Sequence, residues 1–391
     1  MTEAVIVSAV RTPIGTSYKG TLREMLAEEL ATLVVGEAVK RSGLNPEDFG
    51  DVILAESTVG GGDIARYAAL ANGMVGVPGQ AVQRWCAGSL TSIGNAAAQI
   101  RSGMEQAIIA GGTHSYSTSP QLISKLADGS EKQGMRPSFP YYDTEEYGRA
   151  TDDVIVNVGF NIAKERGITR EEQDAWAFRS HQRAIAAIDA GQFDDEIVAV
   201  QARLEGEVVS FAVDEHPRRG GSLEKLAGLK PIREVEGFSV TAGNSSGVND
   251  AASALAIVSD ELAAARGLTP LARIRAWGAV GVQPHLCGVG GVDAIPLVLK
   301  RAGLSVSDVD LWEINEAFAS VPIAAVKELG IDEELVNPWG SGCSLGHPIS
   351  ASGGRMVTTL AHELKRRGGG IAVASMCAAG GQGGAVVIEA V

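Results

Sequence analysis

The sequence predicts an α/β fold made of two copies of one unit, with a long insertion between them. Three observations carry that expectation. Short apolar runs closed by glycines alternate with stretches of helical period, the pattern of a mostly parallel sheet covered by helices. Alanine and 49 glycines dominate while aromatics make up 5% of the 391 residues, which favours close helix-on-sheet packing over a β-sandwich. The segment Arg41-Ser42-Gly43-Leu44 through Asp48 to Glu56 recurs as Arg301-Ala302-Gly303-Leu304 through Asp308 to Glu316, at a constant offset of 260. A period this long means duplicated domains rather than a solenoid.

In chain order, residues 4–10 read as a buried strand ended by the turn Arg11-Thr12-Pro13-Ile14-Gly15. Leu22, Leu26, Leu30, Leu33 and Val34 mark an amphipathic helix, residues 51–55 a second strand, and 65–74 a helical passage. Leu90, Ile93, Ala97 and Ile100 recur at helical spacing, so a helix begins just after Cys86, and residues 106–112 form a third strand. From about Ser117 the texture changes. Residues 118–150 are rich in polar residues, proline and glycine, with Tyr141, Tyr142 and Tyr147 clustered. A helix follows with Trp176, Ala184, Ile185 and Ile188 on one face, then strand-like runs at 197–200 and 208–213. Residues 249–268 read as helical, and Leu271 opens a fresh strand-led unit in which 369–381 resembles 103–112. The expected division is 1–117 with 249–268 as one half, 118–248 as an inserted loop domain, and 269–391 as the other half.

A formal charge of −14 excludes a general nucleic-acid binder, which needs a basic surface, but leaves room for a local basic pocket. Cys86, Cys287, Cys343 and Cys377 are too few and too scattered for a disulfide framework, and none forms a Cys-x-x-Cys pair, so no metal site is expected. No basic region followed by a long apolar run comes after Met1, and no stretch reaches membrane-spanning length. A reducing cytoplasm and no membrane partner are the expectation.

Sites in such sheets lie beyond the carboxyl ends of strands, and the chemically interesting residues sit there. In Ala81-Val82-Gln83-Arg84-Trp85-Cys86-Ala87-Gly88-Ser89-Leu90, a cysteine stands at a helix N-terminus. Exposed N–H groups and the macrodipole there favour the thiolate, the attacking species in acyl transfer. Taken alone it reads rather as a small hydrophobe packed under the helix. Three C-terminal segments follow: Glu313-Ile314-Asn315-Glu316-Ala317-Phe318-Ala319, Gly346-His347-Pro348 leading through Ser350 to Arg355, and Met376-Cys377-Ala378-Ala379-Gly380-Gly381. Singly, Asn315 reads as a cap, His347 as a loop histidine and Cys377 as strand core. The glycine runs lack the strand–GxGxxG–helix context of a phosphate cradle.

In this order the segments resemble the thiolase family, over essentially all 391 residues. The resemblance starts at Ala4-Val5-Ile6-Val7-Ser8-Ala9-Val10-Arg11-Thr12-Pro13 and takes in the Cys86 segment, Ile168-Thr169-Arg170-Glu171-Glu172-Gln173-Asp174, Asp214-Glu215-His216-Pro217-Arg218 and Thr241-Ala242-Gly243-Asn244-Ser245-Ser246-Gly247. It ends with Asn315-Glu316-Ala317-Phe318, Gly346-His347-Pro348 and Cys377. It implies a thiolase fold, two βαβαβαββ halves in a layered αβαβα core with the loop domain over the site. It also implies acyl transfer between a 3-ketoacyl-CoA and CoA, with CoA as co-substrate, no permanently bound cofactor, and a homodimer or homotetramer.

By the same resemblance Cys86 is the nucleophile and His347 its base, a role suited to a group titrating near neutrality. Cys377 is the second acid/base, and Asn315 holds a water that with His347 stabilises the thioester enolate. The N–H groups of Cys86 and Ala379 form a second oxyanion hole. Ser246 and Arg218 match CoA contacts, and Tyr147 stands on the acyl-pocket side.

Several positions depart from the family pattern. Cys-x-Gly becomes Cys377-Ala378-Ala379, where a positive φ would be disfavoured; His-Pro-x-Gly becomes His347-Pro348-Ile349-Ser350; Gly-Gly-x-Glu-Ser becomes Gly111-Gly112-Thr113-His114-Ser115. Glu146 stands where acetoacetyl-specific members carry a histidine, and Tyr147, Trp85 and Trp339 add bulk, which points to a substrate larger than acetoacetyl-CoA. A ketoacyl synthase on the same fold is the nearest rival, and Cys377 speaks against it. A non-catalytic or weakly active acyl-CoA-binding homologue is the other, suggested by the altered glycines.

Overall fold

In a computed structural model, which describes residues 2–57, 62–133, 143–144, 148–149 and 154–391, nine strands lie in one row. They are β1 (Ala4–Arg11), β2 (Asp51–Ala55), β3 (Gly79–Val82), β4 (Ala107–His114), β5 (Asn249–Ser259), β6 (Ala272–Gly281), β7 (Leu311–Ile314), β8 (Ile371–Ala378) and β9 (Gln382–Glu389). Their spatial order is β7-β8-β9-β6-β1-β5-β4-β2-β3, and the short strand Gly15–Thr16 lies off the row beside β5. The middle join is thin: β6 meets β1 only at Val5↔Arg273 and Ile6↔Ala272. Two half-sheets therefore meet at a corner, and each repeats the other's order and sense. β2 and β4 pair in parallel as β7 and β8 do, while β5 and β9 run antiparallel to their neighbours. The expected mostly parallel sheet is thereby corrected to a mixed one in which most joins are antiparallel. Where the first half has β3, the second has a single parallel bridge, Trp312↔Val336.

Helices make three further layers. α1 (Ala27–Ser42) packs Leu30, Val34 and Ala38 on the outer face of the first half-sheet, against Val52, Leu54 and Ile109. α2 (Gly88–Ser102) and the C-terminal helix α6 (Ile349–Arg367) fill the space between the half-sheets, with Ile93, Ile100, Leu360 and Leu364 against Ile53, Ile108, Ala374 and Ile388. α4 (Val289–Ala302) and α5 (Ser320–Leu329) cover the far side through Ile295, Val298, Val321 and Ala324. The order is αβαβα. Strands buried on both faces explain why they read as continuous apolar runs. Small residues allow the close layers: a Cβ on Gly94 of α2 would run into the Trp277 indole of β6.

The 260-residue repeat is visible in atomic detail. α1 and α4 end on left-handed glycines, Gly43 (φ 76°) and Gly303 (φ 70°), a conformation that glycine adopts at no steric cost. Each is followed by a short 3₁₀ turn, Pro46–Asp48 and Val306–Asp308. In both turns the third residue's carboxylate accepts the cap residue's N–H (Asn45 to Asp48, 2.8 Å; Ser305 to Asp308, 2.7 Å).

Three local expectations are corrected. Residues 249–268 are not one helix: β5 occupies Asn249–Ser259 and a helix only Asp260–Arg266. An alanine- and serine-rich run carries no β-branched signal, and tertiary pairing on both edges of β5 decides it. The inserted hairpin is Val200–Leu204 with Glu207–Phe211, while Ile197 makes a parallel bridge to Arg11. Leu22 is buried in the turn before α1 rather than in the helix.

The insertion, with its helix α3 (Arg170–Asp189), is tied to β1 by a buried network. Arg11 donates from Nε to Glu196 (2.6 Å) and from Nη1 and Nη2 to Asp214 (2.8 and 2.9 Å), and Thr359 Oγ1 of α6 donates to Glu196 (2.9 Å).

Candidate active site

Cys86 sits on a tight strand-to-helix elbow. β3 ends at Val82, Trp85 takes a left-handed φ of 46°, and a 3₁₀ turn, Trp85–Ala87, runs into α2. Such a φ is strained for a bulky residue; the Trp85 N–H is held by Gln83 Oε1 at 2.8 Å. Gly88 brings the helix start against Ala55 of β2. The backbone N–H groups of Ala379 and of Cys86 itself favour the charged sulfur. Burial nevertheless pushes the thiol up to about 12, with Cys287 nearby adding to the shift and the two N–H groups opposing it. Burial thus works against the thiolate that the helix terminus favours, at a side chain that is half-buried.

Cys377 and Ala379 lie at the β8–β9 hairpin, whose three-residue turn is Ala379, Gly380 and Gly381. Gly380 (φ 83°) and Gly381 (φ 74°) take the left-handed positions and Ala379 does not, so its Cβ adds no backbone strain. The Cys377 thiol is raised well above its ordinary value by burial, then by Cys287 and Cys86. Cys287, just before α4, donates its thiol to Ala378 O at 2.9 Å.

Asn315 follows β7, with its N–H on Ser375 O of β8 at 2.9 Å. His347 precedes α6, its N–H on Asn249 Oδ1 at 3.0 Å. On the ring, Nδ1 meets Ser352 Oγ at 2.7 Å and Asn315 Nδ2 at 3.3 Å. Nε2 of His347 and Oδ1 of Asn315 are buried without a partner among the described residues. A hydrogen on Nδ1, donated to Ser352 Oγ, goes with the Asn315 amide turned to present its otherwise unpartnered Oδ1 to that nitrogen, and it leaves the Nε2 lone pair free to take a proton. Burial, followed by His114 and Arg355, pushes His347 down to about 3. The expectation of near-neutral titration is thereby corrected: the ring is neutral throughout the physiological range. α6 packs on the Cys86 turn, and that turn also touches β8, so Cys86, His347, Asn315, Cys377 and Ala379 gather at one end of the middle layer.

Glu316 belongs to the scaffold. It accepts from Trp176 Nε1 (2.9 Å), Asn337 Nδ2 (2.8 Å), Ser180 Oγ (2.6 Å) and the Cys343 N–H (3.1 Å). Ser246 donates its N–H to Ala317 O and Ala319 to Asn244 O, both at 2.9 Å, lacing the 241–247 loop to the Asn315 segment. Arg218 is exposed, its guanidinium unpaired among the described residues and its backbone N–H on His181 Nδ1 at 3.2 Å. Trp85 and Trp339 are half-buried against the middle-layer core. Tyr147 and Glu146 lie outside the described residues. Sequence reasoning missed Ser352, Cys287 and His114 as parts of the site; only the unusual His114 was visible as a departure from a pattern. Among the described residues no group of His, Cys, Asp and Glu is placed to hold a metal, and no helix is long and apolar enough to cross a membrane.

Two family models match end to end: "Thiolase, N-terminal domain" over residues 4–261 and "Thiolase, C-terminal domain" over 268–390. The chain belongs to the thiolase family. As a thiolase it is an acyltransferase of α/β fold. It is 40% identical over 393 residues to an acetyl-CoA acetyltransferase of Escherichia coli K12, covering 100% of this chain and 99% of the relative. It is also 40% identical to a 3-oxoadipyl-CoA/3-oxo-5,6-dehydrosuberyl-CoA thiolase of the same organism, covering 100% of each. Among solved structures, the Bacillus anthracis acetyl-CoA acetyltransferase superposes with a TM-score of 0.90 at 41% identity, covering 100% of this chain and 99% of that one. Human mitochondrial 3-ketoacyl-CoA thiolase gives 0.90 at 35% identity with the same coverage.

Proposed function

We propose that this thiolase cleaves a 3-ketoacyl-CoA with CoA to acetyl-CoA and a shortened acyl-CoA, or runs the reverse condensation, through an acyl group on Cys86. The observation that carries the reading is the meeting at one place of the Cys86 turn, the end of β8 with Cys377 and the start of α6, where His347 Nε2 is buried and unpartnered among the described residues. The N–H groups of Cys86 and Ala379 are available there. In thiolysis His347 Nε2 takes the proton of the Cys86 thiol, and the sulfur adds to the 3-keto carbon. The two N–H groups hold the resulting alkoxide. The carbon–carbon bond then breaks, leaving an acyl-Cys86 thioester and an acetyl-CoA enolate. Asn315, through a water, and His347 stabilise the enolate oxygen, and Cys377 delivers its proton to the carbon. His347 returns its proton to the Cys377 thiolate. Its neutral ring then takes the proton of an incoming CoA thiol, whose sulfur displaces Cys86, and the released Cys86 thiolate takes that proton back.

Arg218 is the contact for the nucleotide phosphates, and Ser246 for the pantetheine arm. Tyr147 lines the acyl side, with residues 118–248 as the domain that covers the site. CoA is a co-substrate, no cofactor stays bound, and the protein works in the cytoplasm as a homodimer or homotetramer without nucleic-acid or membrane partners.

Separating the two thiols tests this. Acyl exchange between thiolates needs a nucleophile, a base and an oxyanion hole, whereas the carbon–carbon step also needs a proton at carbon. Cys377→Ala is expected to lower thiolysis by roughly 10²–10⁴-fold or more yet to retain exchange of labelled CoA into acetyl-CoA; Cys86→Ala loses both. Thiolysis near wild type in Cys377→Ala would remove Cys377 from the scheme.

A further inference from the structure

Beside the five residues above, a second polar chain reaches the same end of the middle layer. Residues 108, 110, 112 and 114 of β4 alternate onto the face that α2 and α6 cover, Ile108 and Ala110 being part of that core. Gly112 is bare there because a Cβ would strike Ser350 O, at the start of α6. The next residue in the row, His114, is fully buried. Ser350 Oγ donates to Ser57 Oγ at 2.8 Å, and Ser57 Oγ lies 3.0 Å from His114 Nδ1. Ser57 can give its hydrogen to Nδ1 while accepting from Ser350, and that arrangement puts the ring hydrogen on Nε2. That nitrogen is buried with no partner among the described residues. The imidazole meets the Tyr116 ring edge-on at 4.3 Å, and it lies within electrostatic reach of His347, as Tyr116 does of Cys86. A buried donor without a partner is costly, and this one belongs to a ring close to His347 and packed on Tyr116.

We infer that His114 Nε2–H donates to an oxygen on the acyl tail, so that the favoured 3-ketoacyl group carries a neutral hydroxyl or keto function beyond the carbonyl that Cys86 attacks. This rests on the thiolase reading above and specifies its substrate. The carbonyl under attack and the thioester carbonyl already have their donors, which leaves this one for a further oxygen. A carboxylate would bury a full charge against one neutral donor, so a neutral oxygen fits. His114 is a specificity-determining residue in this scheme.

The test compares kcat/KM for 3-oxohexanoyl-CoA, 5-hydroxy-3-oxohexanoyl-CoA, 3,5-dioxohexanoyl-CoA and 3-oxoadipyl-CoA. In the wild type, the hydroxy or dioxo analogue is expected to exceed the unsubstituted chain by about tenfold, the worth of one buried hydrogen bond. The ratio should fall towards one in His114→Phe and be kept by His114→Gln, whose amide N–H reaches a similar place. A wild-type ratio of one or less, a ratio that survives in His114→Phe, or 3-oxoadipyl-CoA as the best substrate overturns the inference. If His114→Phe does not fold, the wild-type ratio and the glutamine variant decide alone. Failure to cleave any of the four together with no exchange of labelled CoA into acetyl-CoA would instead bring down the thiolase reading itself.

Discussion

The Cys287 thiol donates to the Ala378 carbonyl at 2.9 Å, and that carbonyl belongs to the peptide unit whose N–H, on Ala379, favours the charged Cys86 sulfur. In a trans peptide the two groups point in opposite directions. A donor on the oxygen therefore fixes the plane that aims the N–H and polarises it cooperatively. Cys287→Ala is expected to lower kcat roughly three- to tenfold, the worth of one neutral hydrogen bond, with little change in KM. Cys287→Ser should recover most of the loss. A serine variant no better than alanine would show that the thiol only fills space.

Alkylation of Cys86 should follow its thiolate fraction. With the group pushed up to about 12 by burial, the rate of iodoacetamide labelling at Cys86 in the free enzyme should climb about tenfold per pH unit from pH 7 to 10 without a plateau. A plateau near neutrality, read by mass spectrometry of the labelled peptide, would mean a resting thiolate.

The hairpin turn separates two glycine questions. Ala379 is outside the left-handed region while Gly380 is inside it at φ 83°. Ala379→Gly should change kcat by less than about tenfold, about 1.4 kcal/mol of barrier. Gly380→Ala should cost stability by about 1–2 kcal/mol of backbone strain and should lower kcat more than Ala379→Gly, because the strain is relieved by moving the oxyanion N–H. Equal effects in the two variants would contradict this placement.

Burial holds His347 down to about 3 and His114 down to about 4, below the ordinary value near 6.5. Groups depressed on folding contribute stability that is present above pH 6.5 and lost as pH falls through their folded values. Between about pH 6 and 4.5 each should remove about 1.4 kcal/mol per pH unit. Urea midpoints measured across that range should therefore fall with acid, and His114→Phe should flatten the slope by about one proton. An unchanged slope would place a charged or exposed imidazole at His114.

The duplication, the α/β class, the helix after Cys86 and the four chemical segments were legible in the sequence, because each rests on local signals: period, glycine punctuation and residue type at a strand end. The alanine–serine run that became β5 was not legible, since its strand character comes from partners far away in sequence. What only the tertiary structure decided is the state of the groups. A helix N-terminus argued for a thiolate at Cys86 and the ordinary imidazole value for a base near neutrality. Close-packed layers strip water from His347, and at the half-buried Cys86 burial works against the local dipole. The partners that tune the site, Ser352 on His347, Cys287 on Ala378 and the Ser350–Ser57–His114 chain, come mostly from segments far apart in sequence. No spacing encodes them, because what brings them together is the stacking of the two halves on one shared helical layer.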